Sequence, residues 1–203
     1  MGEQKKYDVI CIGQAVQDIL TTNVPKNAFM METDTVKADS LTITTGGDAV
    51  NEAIILSRLG NKSSVVVRLD NRNVGNMIYQ ELKDENVDVS LVSRQDDCEN
   101  FTSMIFIHPD GDHDFIVGPG KNYMLSRSDV DFSVFSKARA VSAGSLFTLG
   151  ELDTNGIEEI FKIAQDSGAY TFADANFDLK GIGPDAIYRL HYTKSERSYV
   201  HDG

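Results

Sequence analysis

Two glycines followed at once by a helix form the most chemically suggestive stretch of this chain: Gly46-Gly47-Asp48-Ala49-Val50-Asn51. Glycine lets a chain turn tightly and lets a ligand approach the backbone. A helix N-terminus leaves N–H groups without intrahelical partners. Asp48 makes this a poor seat for phosphate, so a neutral polyol is the better guest. Asn51, about one turn in, offers a hydroxyl both a donor and an acceptor. The same residues also read as a plain turn, with Asp48 favouring the positive end of the helix dipole. Asp18 is open in the same way. It is either a strand-end carboxylate held by backbone N–H groups or an acceptor for two hydroxyls through charge-assisted hydrogen bonds.

Other chemistries fail on residue type. Asp110-Gly111-Asp112-His113-Asp114 begins like a calcium loop. Phe115 stands where that loop needs Gly, and Lys121 where it needs a bidentate Glu. His108 and His113 flank the same stretch without a Cys partner, so they read as part of an exposed hairpin tip rather than zinc ligands. Ser142-Ala143-Gly144-Ser145 is not a nucleophile elbow. The chain has no G-x-x-x-x-G-K-[ST] loop and no G-x-G-x-x-G after a strand.

The elements that must position these residues alternate. Tyr7 to Gly13, Asp18 to Thr22 and Thr35 to Thr45 read as strands, with a loop over Pro25 to Asp34. Asp48 to Leu59 reads as a well-buried helix, started by Thr45-x-x-Asp48 and stopped by Gly60-Asn61. Ser64 to Leu69 is a strand, Val74 to Glu85 an amphipathic helix, Val87 to Val92 a strand. Thr102 to His108 and Asp114 to Val117 make a hairpin with Asp-Gly at its turn. Val130 to Phe135 reads as a short helix and Ala138 to Ala143 as a strand. Leu152 to Asp166 is a helix, Tyr170 to Ala173 a strand, and Pro184 to Leu190 a helix start. Alternation implies a parallel-rich sheet with helices on both faces. The β-rich interruptions near 16–45 and 101–117 could pair into a small separate sheet. Tyr192 to Gly203 is polar and lacks a period, and is expected to fray.

Composition is that of a globular protein, with 41% hydrophobic and 25% charged residues in 203. A net charge of −12 excludes a phosphate-backbone binder. No apolar run approaches a membrane span, and no signal peptide is seen. Cys11 and Cys98 are too few for a disulfide framework, which suits a cytoplasmic setting. Cys11 reads as a buried small hydrophobe and Cys98 as a loop residue.

Gly-Gly-x-Ala-x-Asn-x-Ala, closed by Leu59-Gly60, resembles the first signature of the ribokinase-like (PfkB) carbohydrate kinases. Gly13-x-x-x-x-Asp18, Gly118-Pro119-Gly120-Lys121-Asn122 and Asp174-x-Asn176 resemble further family motifs in the right order. The resemblance runs to about residue 183. It implies a three-layer ribokinase-like α/β domain over residues 1–190, with a β-sheet lid drawn from 16–45 and 101–117 and a polar tail at 191–203. It also implies ATP-dependent phosphorylation of a sugar or polyol hydroxyl, with ATP and magnesium as cofactors of the complete enzyme. Asp18, Gly46, Gly47, Asp48, Asn51 and Asn176 become the substrate-binding candidates. The lid implies a shield over the sugar and a homodimer contact.

The departures are equally specific. Asp70-Asn71-Arg72-Asn73-Val74-Gly75 keeps only the last Gly of a Gly-x-Asp-x-x-Gly stretch. Asp178 stands where the family's Arg closes Asp-x-Asn-x-Arg, which argues against an acidic sugar. The Asn-x-x-Glu motif is missing downstream of Asp174-x-Asn176, and so is the Asp-Thr-x-Gly-Ala-Gly-Asp loop with its catalytic Asp. Phosphoryl transfer needs charge neutralisation and a positioned base. The expectation is therefore a sugar-holding chain, inactive alone, with no catalytic or metal-binding residue of its own. The alternatives are a non-catalytic sugar-binding or dimerising fragment and a nucleoside kinase of the same fold.

Overall fold

The computed structural model describes residues 5–32, 35–176 and the backbone of 198–202. Its central sheet is parallel throughout. Strands β1 (Tyr7–Ile12), β4 (Ser63–Val66), β9 (Ala138–Leu146), β10 (Tyr170–Ala175) and β11 (Ser198–Asp202) lie in the order β11-β10-β9-β1-β4. Alternate side chains feed opposite faces. From β1, Val9 and Cys11 join helices α1 (Asp48–Arg58) and α2 (Asn73–Asp84) on one side. Ile10 and Ile12 meet helix α3 (Gly156–Asp166), centred on Phe135, Ile160 and Phe161, on the other. The β1-to-β4 step and the β9-to-β10 step run in opposite directions along the sheet. Right-handed crossovers then put α1 and α3 on opposite faces, giving three layers.

The two β-rich interruptions pair with each other. Strands β2 (Val16–Thr22), β3 (Ser40–Gly46), β7 (Thr102–Ile107) and β8 (His113–Val117) form a four-stranded sheet in the order β3-β2-β7-β8. Its hairpin turns at Asp110-Gly111, where Gly111 takes φ 87°. The tip is not wholly exposed, because His108 is 5% accessible.

Several expectations need correction. The strand expected over 64–69 is split. After β4, strand β5 (Arg68–Asp70) leaves the central sheet and pairs with β6 (Ser93–Gln95). Val87 to Val92 is not a strand. Its one ladder pairing with β4 is the Ser64–Asp88 bridge, and the Asp88 carboxylate accepts the Ser90 N–H to close a turn. The third helix starts at Gly156 rather than Leu152, because Asn155 adopts φ 76°. The Asp153 carboxylate meanwhile accepts the Phe147 and Leu149 N–H groups. The short helix near 130 is a 3-10 turn over Phe132–Lys137, capped by Asp131. Helix α1 has Gly47, not Thr45, at its N-cap, without a side-chain capping bond. It is also less buried than its composition implies, since Ile55 and Leu59 are 55% and 74% exposed. Where a frayed tail was expected, Ser198–Asp202 forms the edge strand β11 beside β10. The expected helix start at 184–190 lies outside the described residues. Among the described residues no helix is long and apolar enough to cross a membrane. Cys11 and Cys98 are both buried free thiols.

Candidate functional site

The site is assembled where the lid sheet meets the carboxyl ends of the central strands. β2 pairs with β3 so that Val16 lies opposite Gly46 and Asp18 opposite Thr44. The Asp18 side chain consequently lies against Gly46. A Cβ built on Gly46 would stand 1.9 Å from Asp18 Oδ2. Any side chain there would displace the carboxylate, which is a physical reason for Gly at this position. Partial burial pushes the Asp18 carboxyl above its ordinary range.

Gly47 is fixed by a different constraint. Its φ is 94°, and a Cβ would lie 2.3 Å from the Gln14 carbonyl oxygen. Both point to a backbone position that only glycine fills without strain. Gln14 in turn donates its side-chain amide to the Thr148 carbonyl at 2.7 Å. The β1–β2 link, the β3–α1 junction and the segment after β9 are thereby tied at one place.

Helix α1 can come this close because the strand ends beneath it are glycines. A Cβ on Gly13 would lie 2.8 Å from Ala49 Cβ, and one on Gly144 would lie 2.7 Å from Asp48 Cβ. Ser145, at φ 60°, donates its hydroxyl to the Asp48 carboxylate. Asp48 is therefore engaged from below as well as placed at the start of the helix.

Between α1 and β10 lies an open cleft of about 710 Å³. Asp48, Asn51 and Glu52 line its upper part from the helix, with Ile55 and Leu56 a turn below. Ser142 and Gly144 form the floor, and Phe172, Ala173 and Asp174 the far wall. Of the sequence candidates, Asp48 and Asn51 share this cleft, while Asp18, Gly46 and Gly47 meet at the lid junction beside its upper end. Asn176 is not among the lining residues. It is exposed at the end of β10, and its backbone N–H donates to the Leu146 carbonyl at 3.1 Å.

Glu52 escaped the sequence reading. Burial pushes its carboxyl above the ordinary range, and the negative charges of Asp48 and Asp174 add to that, while hydrogen bonds with Ser142 and Cys11 oppose it. The Cys11 thiol is itself pushed well up by burial and by Glu52. A signal was present, because Asp48, Glu52 and Leu56 recur at a spacing of four and so share one helix face. Among the described residues, the lining of the cleft carries three carboxylates and no Lys or Arg. Among the described residues no group of three His, Cys, Asp or Glu side chains is arranged to hold a metal ion.

The Asp70–Gly75 stretch, which departs from the family pattern, has structural work of its own. Asp70 accepts the Arg72 and Gly75 N–H groups on one oxygen and the Asn100 N–H on the other. It thereby satisfies orphan donors at the start of α2. Asn122 lies by a second cavity of about 860 Å³, away from the cleft. There the Arg68 guanidinium is held by Asp129 and Asp97, each at 3.0 Å.

Residues 6–183 match the pfkB family of carbohydrate kinases. The ribokinase of Mus musculus is 24% identical over 173 residues, which cover 80% of this chain and 52% of that protein. A fructokinase with bound ATP from Xylella fastidiosa superposes with a TM-score of 0.70 at 18% identity, over 91% of this chain and 58% of its own. An Arabidopsis thaliana ribokinase complexed with ribose and ATP gives 0.61 at 20% identity, over 86% and 54%. The chain spans about half the length of the curated relatives it matches.

Proposed function

This chain belongs to the pfkB family of carbohydrate kinases, and from that premise we propose that its 203 residues form the sugar-holding part of an ATP-dependent sugar kinase. The substrate class is a neutral sugar or related polyol. The observation that carries this reading is the fit of the Asp18 carboxylate over Gly46, beside the helix start that bears Asp48 and Asn51. In this reading Asp18 accepts from two hydroxyls, Asn51 both donates and accepts, and Gly46 and Gly47 keep the backbone within reach of the ring. Asn176 then contributes from the end of β10. The lid sheet excludes water from the bound polyol. Acidic walls disfavour a phosphorylated or carboxylated sugar, since like charges in a partly dry cleft repel.

The described residues that line the cleft do not fit the nucleotide. A triphosphate needs cations and clustered N–H donors, and the cleft offers Asp48, Glu52 and Asp174 with no Lys or Arg. Phosphoryl transfer is accordingly assigned to a family-length protein, and the 203 residues alone bind without turnover. Two further proposals go with this reading. The outer lid face, where Ile43, Ile19, Met104 and Ile116 stand in register across four strands, serves as a homodimer contact. The buried, unpaired thiols suit a cytoplasmic setting.

Calorimetric titration with ribose, fructose, ribitol and adenosine, run beside an ATP-consumption assay, tests the reading. Saturable binding of a sugar or polyol, lost in Asp18→Ala, and no ATP consumption are expected. Preference for adenosine would favour a nucleoside kinase instead. Turnover would overturn the inactive assignment, and absence of any polyol binding would overturn the site.

A further inference from the structure

The Ser142-Ala143-Gly144-Ser145 stretch, which is not a nucleophile elbow, runs off β9 into a backbone that L-residues resist. Ser145 takes φ 60° and Phe147 φ 73°. Positive φ suits glycine, and asparagine tolerates it better than most other residues. Among the described residues, every other positive φ in this chain belongs to a glycine or an asparagine. The two exceptions stand in one turn, beside Asp48. That turn is over-determined by its own bonds, as a strained segment must be. Asp153 accepts the Phe147 N–H on one carboxylate oxygen and the Leu149 N–H on the other, both at 2.8 Å. Thr148 returns two bonds to the Ser145 carbonyl, from its N–H at 3.1 Å and from its hydroxyl at 2.6 Å. Gln14 holds the Thr148 carbonyl in turn. Glycine would sit at position 145 without strain, but it would lack the hydroxyl. Ser145 is 5% exposed, and that hydroxyl donates to Asp48 Oδ2. Among the described residues it is the one hydrogen-bond donor to the Asp48 carboxylate.

We propose that Ser145 is a positioning residue of the polyol site: it fixes Asp48 through Oδ2, so that Oδ1 is presented to a substrate hydroxyl at the start of α1. The inference rests on the sugar-holding reading and adds a role for Asp48 within it. Asp48 lines the cleft and Ser145 does not, so the serine acts on a ligand through the carboxylate. A hydroxyl that donates to a carboxylate makes a strong, charge-assisted bond. An unheld carboxylate at a helix start turns about its side-chain bonds and loses that freedom when a ligand arrives. One already held in place meets the ligand without that loss. Gly144 makes the approach possible, since a Cβ there would lie 2.7 Å from Asp48 Cβ. The strain at Ser145 and Phe147 is thus retained for one hydroxyl, delivered under the first turn of α1.

The test is calorimetric titration of the intact chain and of Ser145→Gly, Asp48→Ala and the double variant with ribose, fructose and ribitol, beside thermal scanning without ligand. Ser145→Gly removes the hydroxyl and the positive-φ strain together. It should bind the accepted polyol about tenfold more weakly, the loss expected when one charge-assisted bond is released. Its Tm should hold or rise, because glycine adopts this backbone freely. In the Asp48→Ala background, Ser145→Gly should change affinity by no more than about twofold, because its route to the ligand is gone. Equal affinity of Ser145→Gly and the unaltered chain, an equal loss in both backgrounds, or a weakened Ser145→Gly with a lowered Tm would each overturn the proposal. Absence of polyol binding by the unaltered chain is a separate result, and would overturn the sugar-holding reading and this inference with it.

Discussion

Asp18 is placed at a cost that its function would explain. Burial raises its carboxyl pKa in the folded chain, so the native state holds that proton more tightly than the unfolded chain does. The group favours folding at low pH and costs stability as pH rises from the ordinary carboxylate value of 3.8 through the raised folded one. Asp18→Asn should therefore raise Tm at pH 7 while weakening polyol binding. The loss of a charge-assisted hydrogen bond, about 1.5–3 kcal/mol, corresponds to roughly ten- to a hundredfold in affinity. Thermal scanning and calorimetry on one sample check both halves. The adjacent glycines should separate. Gly46→Ala strikes the end of a side chain that can swing away, so affinity should fall with little change in Tm. Gly47→Ala meets the Gln14 backbone at positive φ and should cost about 1–3 kcal/mol in urea unfolding. The glycine pair and Asn51 stood out as candidates because they lie close in sequence, and Asp18 because of its spacing from Gly13. Glu52 was harder to see, because its partners Cys11 and Ser142 come from strands far away in sequence.

At the scale of elements, the lid hairpin is latched by one imidazole. His108 Nδ1 lies 2.7 Å from the Val24 carbonyl, and Nε2 lies 3.1 Å from Asp114 Oδ2. Two acceptors facing the two ring nitrogens favour the doubly protonated ring. The Val24 carbonyl and then the Asp114 carboxylate raise its pKa, against burial and the nearby Lys26 charge. Lys26 itself bridges Asp110 and Asp112 on the same turn. A raised folded pKa gives stabilisation that is complete below the unfolded value near 6.5 and lost as pH rises through the folded one. Amide protection at residues 110–113, taken relative to the intrinsic exchange rate at each pH, should fall across that window, and His108→Gln should flatten the dependence. Constant protection over the window would refute the latch. The β-rich runs on either side of Asp110-Gly111 had revealed this hairpin, and amphipathic spacing had revealed α2. It could not reveal that Val67 marks a change of sheet, since β4 and β5 read as one apolar run and differ only in their partners. Val87 to Val92 misled for a related reason: its residue types suit a strand, but its backbone follows Asp88 into a turn.

For the molecule as a whole, alternation of strands and helices was enough to predict three layers, while the order of the strands required the crossovers themselves. The edge strand β11 was hidden because its five residues, Ser198–Asp202, are mostly polar and carry no period. The apolar outer lid face yields a prediction at this scale. Sedimentation should show a concentration-dependent dimer that Ile43→Lys converts to monomer, and an unchanged sedimentation coefficient in that variant would dismiss the lid contact. The tie between Gln14, Gly47 and Thr148 has a consequence for how binding would register calorimetrically. Asp18 belongs to the lid and Asn51 to the body, so a ligand that touches both holds two bodies in one mutual position. The chain passages between them become stiffer on occupation. Heat released at the hydroxyls should then be offset by lost entropy in the seam, and a Gly-rich spacer inserted between Gly13 and Ala15 should enlarge that entropic loss while leaving the contacts themselves intact.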